Sequence, residues 1–302
     1  MRQPWEAERT VDPDLARRLI REQAPEVAAE RIELLGEGWD NVVYRVDDAW
    51  VFRFPRRQMG ADLLAHECAV VPRIAARLPL PVPVPTILGQ PTAAFEWPFA
   101  GYGFLPGRTA CGPGVTDARR RAMAEPLGRF LAVLHETPEA LWSGVEVPAD
   151  ELGRMDVDKR LPVIRQLFAN LVEKNVVASP DPWLRHLRDL PRGPRPRRLV
   201  HGDLYVRHLL VDERVRLCGV IDWGDVHLGD PACDLMIALT FLPADARAAF
   251  EGAYGAVDEP TWRLARFRAL QHTATITLYG LDIADDDLFR EGRRGLERLA
   301  AL

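Results

Sequence analysis

Two aspartates in this 302-residue chain stand where their types and spacing could do chemistry. Asp203 closes the turn Leu199-Val200-His201-Gly202-Asp203, straight after an apolar run, and Asp222 ends the later run Leu217-Cys218-Gly219-Val220-Ile221. Such runs read as short buried strands, and strands so placed carry both carboxylates to the mouth of one cleft. There one carboxylate can accept the proton of an attacking hydroxyl, while the other holds a metal ion on a polyphosphate. Phosphoryl transfer requires that division of labour, because its catalysis is mostly positioning and charge neutralisation.

The neighbours of the two aspartates fit the same chemistry. An unpaired carboxylate at the end of a buried strand is costly unless a cation neutralises it, so Asp222 is assigned to Mg2+. His208 lies five residues beyond Asp203, where kinases place a metal-binding Asn. It is the second candidate metal ligand, although magnesium prefers oxygen to imidazole. His201 is expected to hydrogen-bond backbone and hold the loop. Asp230-Pro231 reads as a helix start with Pro at its first position, which places Asp234 in the first helical turn, where the dipole favours a carboxylate.

A second constellation lies near the N-terminus, in Leu35-Gly36-Glu37-Gly38-Trp39-Asp40-Asn41-Val42-Val43-Tyr44. Glycines between two strands permit a tight turn whose amides point at phosphate oxygens, which makes Gly36, Gly38, Asp40 and Asn41 candidate nucleotide contacts. Asn41 stands where a kinase-type loop has its third glycine, and Asn tolerates positive φ. Taken alone, the segment also describes an ordinary hairpin turn. Arg53, inside the apolar run Trp50-Val51-Phe52-Arg53-Phe54, either faces water on an edge strand or contacts phosphates bidentately, held by Glu67 of the following helix.

The elements that must position these groups can be read from periodicity. A helix is expected over 12–30, with Asp12 as cap and Pro13 at its first position. Strands follow at 31–36, 42–46 and 50–54, the last two joined through the acidic turn Asp47-Asp48. A helix at 61–78 contains Pro72 as a potential kink. The proline-rich 81–85 is excluded from a central strand, and strands are expected near 86–90 and 98–104. Beyond that the period becomes helical, at 116–136, 158–174 and 180–188, then in several pieces over 231–255 and 259–300. The fold class is therefore α+β and two-lobed: a small β-rich lobe over 1–102, a hinge at 103–108 and a larger helical lobe over 109–302, with a cleft between them.

Composition narrows the function. A net charge of −5, with no basic patch interleaved with aromatics, argues against nucleic-acid binding. No apolar stretch of about 18 residues predicts a membrane span, and Met1-Arg2-Gln3-Pro4-Trp5-Glu6 lacks the apolar core of a signal peptide, so a cytoplasmic location and a monomer are the default expectations. Cys68, Cys111, Cys218 and Cys233 show no zinc spacing; disulfides are not expected, and three of the four are expected to be buried small hydrophobes.

With these residues in place, the chain resembles the aminoglycoside phosphotransferase family, which has a kinase-like two-lobed fold and includes macrolide phosphotransferases. The likeness runs from about residue 31 to the C-terminus. Its most specific parts are His201-Gly202-Asp203-Leu204 and Ile221-Asp222-Trp223-Gly224-Asp225 with Asp230-Pro231 and Asp234-Leu235. The glycine segment, Phe52-Arg53-Phe54-Pro55-Arg56 and Gly101-Tyr102 with Leu105-Pro106-Gly107 look like the 2″-aminoglycoside kinases; the stretch through Val206 and His208 looks closer to the macrolide 2′-kinases. The resemblance implies Asp203 as base, His208 and Asp222 around Mg2+, and Arg53 with Glu67 on the phosphates of ATP or GTP. It sets the nucleotide base against the backbone of Gly103 to Leu105, with Tyr102 as bulk beside it that disfavours adenine in its usual pose, which leaves GTP open beside ATP. Arg53 departs from the usual Lys of kinases, whereas His at position 208 occurs in both subgroups.

The resemblance leaves the acceptor, a small-molecule hydroxyl compound, to be chosen. An aminoglycoside is polycationic and calls for carboxylates, for which Asp282, Asp285, Asp286 and Asp287 are candidates; a solvated helix–helix loop is the alternative reading. A macrolide calls for a broad apolar wall, which Met236, Ile237, Leu239, Phe241, Trp262, Phe267 and Tyr279 could supply. The aminoglycoside is the preferred expectation, ahead of a macrolide or another metabolite. A protein kinase is disfavoured, because Asp225 and Asp230 leave no room for an activation segment and no Ala-Pro-Glu follows. A nucleotide-binding module without catalysis is opposed by the presence of both Asp203 and Asp222.

Overall fold

The computed structural model describes residues 7–38, 40–193 and 195–302. Helix α1 (Pro13–Gln23) begins as its cap requires, with the Asp12 carboxylate accepting from Leu15 N at 2.8 Å. It ends seven residues short of the expected 30, because Pro25 forces Ala24 out of the helical region to φ −132°, ψ 70°. There follow β1 (Ile32–Glu37), β2 (Asn41–Val46) and β3 (Trp50–Pro55), then α2 (Gln58–Ile74), β4 (Pro85–Gly89) and β5 (Phe99–Gly103). The five strands make one antiparallel sheet in the order β1-β2-β3-β5-β4. In the β2–β3 hairpin Asp47 and Asp48 take φ 49° and 58°, the left-handed pair that a twisted hairpin needs and that Asp tolerates. Pro72 lies in the last turn of α2, which closes as a short 3₁₀ turn at Ala75–Arg77.

After the connection at 104–107 come β6 (Arg108–Thr109), α3 (Asp117–His135), α4 (Val157–Glu173), α5 (Asp181–Leu184), β7 (Arg198–Val200), β8 (Leu209–Val211), β9 (Leu217–Val220) and β10 (His227–Gly229). Four helices complete the chain: α6 (Ala232–Thr240), α7 (Arg247–Tyr254), α8 (Glu259–Asp282) and α9 (Asp286–Ala300). The short strands pair as β10-β7 and β6-β8-β9, which puts the two predicted carboxylate-bearing runs, β7 and β9, in separate small sheets. Among the described residues, no helix is long and apolar enough to cross a membrane.

Two main cores explain the α+β division. One joins α1 to the sheet through Phe52, Phe54 and Phe99, with Phe54 and Phe99 stacked at 4.8 Å. The other fills the helical part and takes in Val70, Val71 and Ile74 of α2, so α2 spans both. A buried ion pair, Arg120 with both Glu291 oxygens at 2.7 Å, ties α3 to α9. All four cysteines are free, but only Cys233 is fully buried, fewer than expected.

Candidate active site

The His-Gly-Asp turn is built from backbone outward. Gly202 sits at φ +86°, and a Cβ there would lie 2.2 Å from the Asp225 carbonyl oxygen, so only glycine fits. Asp234, in the first turn of α6, reaches back to the turn: His201 N–H donates to its Oδ2 at 2.7 Å and Gly202 N–H to its Oδ1 at 2.9 Å. His135 of α3 adds a third contact at 3.1 Å. Burial raises the Asp234 pKa, but His135, His201 and these hydrogen bonds outweigh it and hold the carboxylate below its ordinary value. Its stabilising contribution is therefore present above the unfolded carboxylate pKa and lost as pH falls through the depressed folded one. Asp234→Ala is expected to cost about 3–5 kcal/mol, since it strands two buried amides and a histidine. Chemical denaturation at neutral pH and at acid pH checks this: the deficit should shrink on acidification.

His201 links the two turns, as expected of a loop-holding residue. Its Nε2–H donates to the Ile221 carbonyl at 3.0 Å, one residue before Asp222, and burial keeps the ring neutral by lowering its pKa. Asp222 itself has φ 68°, an uncommon conformation for a residue with a side chain. The consequence is visible in its carboxylate. Arg53 donates to Oδ1 at 2.9 Å and His208 Nε2 lies 3.1 Å from Oδ2, while the side chain stays 45% exposed. Burial raises its pKa, yet Arg53 and His208 more than reverse that and drive it far below the ordinary range.

Arg53 is not on an edge. β3 is flanked by β2 and β5, and the guanidinium bridges Glu67 of α2 (2.7 Å) and Asp222. Burial lowers the Arg53 pKa and the two carboxylates raise it further, so it stays charged. The pair Arg53–Glu67 thus forms where the sequence placed it, and it also locks the sheet to the second aspartate. The Arg53 Nε and Glu67 Oε1 atoms are buried without hydrogen-bond partners. An anionic ligand oxygen is the group that an unpartnered guanidinium N–H lacks.

Asp222 and His208 fit a divalent cation. The His208 Nδ1–H donates to the Asp203 carbonyl at 2.7 Å, which fixes the tautomer and turns Nε2 toward Asp222. Burial lowers the His208 pKa, and Asp222 and the Asp203 contacts raise it overall. Among the described residues no group of three or more His, Cys, Asp or Glu is gathered for a metal. Mg2+ does not need one, because it is commonly held by one or two protein groups and completes its shell with water and phosphate. His208→Asn, offering an oxygen instead, is expected to keep Mg-nucleotide turnover within about tenfold of wild type, or about 1.4 kcal/mol. Steady-state assays at several Mg2+ concentrations check it.

The glycine segment departs from its expectation in one respect. Neither Gly36, Gly38 nor Asn41 adopts positive φ; Asn41 is the first residue of β2, paired with Pro55. Asn41 therefore does not stand in for a turn glycine. A Cβ at Gly36 would meet nothing within 4 Å, so no close approach within the protein calls for glycine there. The loop is held from outside: Arg57 pairs with Asp40, Arg56 donates to the Gly38 carbonyl, and Gly60 packs so closely that a Cβ would touch the Asp40 carbonyl at 2.3 Å. Asp40 is thus engaged in structure.

Tyr102 is a second departure. It was expected beside the nucleotide base, but its ring is 1% exposed, packed with Leu64 and Ala100 under α2 and beside Glu67. No face of the ring is open to a base. Gly103 is exposed and Leu105 half-buried, and between them Phe104 N–H donates to the Ala49 carbonyl at 2.8 Å.

Asp203 is gripped from a helix that the sequence did not implicate. Its Oδ1 lies 3.3 Å from Arg268 and 3.6 Å from His272, both on α8, and the side chain is 27% exposed. Burial raises the Asp203 pKa, but the positive charge around it, from His208, Arg154 and Arg268, lowers it overall. His272 is pushed down to about 3 by burial and Arg268, so it faces Asp203 as a neutral ring. Arg154, ahead of α4, pairs with Asp225, whose pKa is raised by burial and by the other two aspartates despite that partner. The sequence did carry a signal: Arg268 and His272 are four residues apart, on one face of a helix, inside a largely apolar stretch.

Three of the four C-terminal aspartates are engaged within the protein, and the fourth, Asp286, is exposed in the first turn of α9. Asp285 caps α9 through Leu288 N–H and pairs with Arg207, Asp282 pairs with Lys174, and Asp287 pairs with Arg290. These contacts match the helix–helix loop reading, because Asp285 spends both oxygens internally.

Known proteins share this architecture. The family model of the phosphotransferase enzyme family (APH) matches residues 31–268. The uncharacterized protein YcbJ of Bacillus subtilis (strain 168) is 28% identical over 242 residues, covering 74% of each chain. Among solved structures, the GDP and kanamycin complex of APH(2")-IIia is 27% identical with a TM-score of 0.69, over 94% of this chain and 97% of that one. The GDP complex of wild-type aminoglycoside 2'-phosphotransferase-IIIa is 26% identical with a TM-score of 0.70, over 96% and 99%. A macrolide 2'-phosphotransferase type I, 24% identical with a TM-score of 0.65, over 95% and 97%, shares the fold. An antiparallel sheet followed by a mostly helical second part is thus the architecture of known phosphotransferases, and the chain belongs to the phosphotransferase enzyme family.

Proposed function

We propose that this chain transfers the terminal phosphoryl group of Mg-ATP or Mg-GTP to a hydroxyl of a small molecule. The observation that carries the reading is the joined pair of turns. His201 ties Asp203 to Asp222, and Arg53 reaches Asp222 from the sheet, so base, metal ligand and phosphate-binding cation stand together. The N-terminal part to about residue 102 supplies the nucleotide side, the segment 103–108 the hinge, and the rest the acceptor side.

In the reaction, Asp203 orients the acceptor hydroxyl and takes its proton. The acceptor oxygen bonds to the γ-phosphorus as the bridge to the β-phosphate breaks, and the nucleoside diphosphate leaves with that electron pair. Arg53, steadied by Glu67, binds phosphate oxygens. Asp222 and His208 would hold Mg2+, which when bound neutralises the charge on the phosphates. Because Asp203 has a depressed pKa, it is a weak base, suited to a transition state in which little proton transfer is needed.

The aminoglycoside expectation is supported by the kanamycin-bound neighbour at 27% identity. Three of the four carboxylates that were to receive it, Asp282, Asp285 and Asp287, are instead ion-paired. The experiment is a panel of aminoglycosides, macrolides, neutral sugars and hydroxy acids incubated with Mg2+ and ATP or GTP, with the new phosphate ester located by NMR. A nucleotide-dependent ester on any acceptor supports the reading, and none across the panel, with intact nucleotide, overturns it.

A further inference from the structure

The charges around Asp203 say more about the acceptor than the C-terminal aspartates do. Three elements face this carboxylate. α8 contributes Arg268 at 3.3 Å and His272 at 3.6 Å, the segment before α4 contributes Arg154, and the turn itself contributes His208. The three aspartates that face the cleft are each already matched by a cation. Asp203 is held by Arg268, Asp225 by Arg154, and Asp222 by Arg53 and His208. Asp150 accepts Met155 N–H through Oδ2, and its other oxygen is inaccessible.

The surplus runs the other way. Arg268 is 5% exposed, and its Nε is buried with no partner. Arg160 of α4 hydrogen-bonds only the Gly153 and Leu152 carbonyls and pairs with no carboxylate; Arg268 and Arg154 act on it more strongly than Asp150 and Asp156 do. An ammonium group brought beside the reacting hydroxyl would meet guanidinium groups and find Asp203, Asp222 and Asp225 each already paired with a cation. To bind, it would have to displace an arginine from its partner, stranding a buried cation.

Resting on the phosphotransferase reading, we propose that Arg268, with Arg154, makes the acceptor site select a hydroxyl compound that is neutral or anionic around the reacting hydroxyl, and reject a polycation. Arg268 is a specificity-determining and positioning residue: it touches the base and sets the sign of the field that the acceptor meets. Its contact with Oδ1 also leaves Oδ2 of Asp203 as the oxygen free to receive the hydroxyl proton.

The test uses the full chain saturated with Mg2+ and a non-hydrolysable ATP or GTP analogue, titrated calorimetrically with kanamycin as the polycationic probe. Wild type is expected to bind kanamycin no tighter than about 1 mM. Arg268→Gln should tighten that binding about tenfold or more, whereas Arg268→Lys, which keeps the charge, should not. Arg154→Gln should move in the same direction as Arg268→Gln, and it serves if the latter fails to fold. Micromolar binding of kanamycin by wild type would overturn the selectivity, as would equal affinities in the Gln and Lys variants. Failure of wild type to bind the Mg-nucleotide analogue would instead overturn the phosphotransferase reading beneath it.

Discussion

Asp222→Ala is expected to lower Mg-nucleotide affinity by about a hundredfold or more, roughly 2.7 kcal/mol. The reason lies in what the carboxylate faces. It is half exposed at the end of β9, its pKa is driven far down by Arg53 and His208, and Nε2 of His208 points at it. Removing it would delete the anionic group proposed to hold Mg2+, and it leaves Arg53 and His208 with one less neutralising charge. The protein should still fold, because Arg53 keeps Glu67 at 2.7 Å. Calorimetric titration with Mg-nucleotide, beside a thermal melt, separates the two effects; undiminished affinity would remove Asp222 from the metal site.

Asp203→Asn should act on the other half of the chemistry. Nucleotide affinity stays near wild type, while kcat falls by about 10²- to 10⁴-fold, the usual contribution of a general base. The lower end is expected, because the lowered pKa of Asp203 makes it a poor base and phosphoryl transfer asks little of one. The isosteric amide retains the oxygen that Arg268 contacts, so the fold of the turn should survive. Single-turnover rates at saturating nucleotide check this, and wild-type rates from a folded variant would sink the assignment.

Much of this site was legible because its determinants are local. Asp203 and Asp222 end apolar runs, Asp12-Pro13 opens α1, and Asp47-Asp48 turns a hairpin, each fixed by residues within a few positions. What was not legible depends on distant partners. Arg268 and His272 reach Asp203 from more than sixty residues away in sequence, and only the packing of α8 reveals it. Tyr102 reads as bulk at a cleft entrance until α2 is seen to cover it. The aspartates at 282–287 were readable as an anionic patch or as a helix–helix loop, because the partners of Asp282 and Asp285, Lys174 and Arg207, lie on other elements. The strands β6 and β10, of two and three residues, are too short for any periodicity to mark.

The most direct test of the account is the fate of the terminal phosphoryl group when nucleotide labelled at that position is mixed with wild type, Asp203→Asn and Asp222→Ala, with Mg2+ and the acceptor panel. The account predicts label in a phosphate ester for wild type, the same ester formed far more slowly by Asp203→Asn, and none from Asp222→Ala at nucleotide levels that saturate wild type. Label remaining in the nucleotide with wild type, or ester formed equally well by all three proteins, would contradict it.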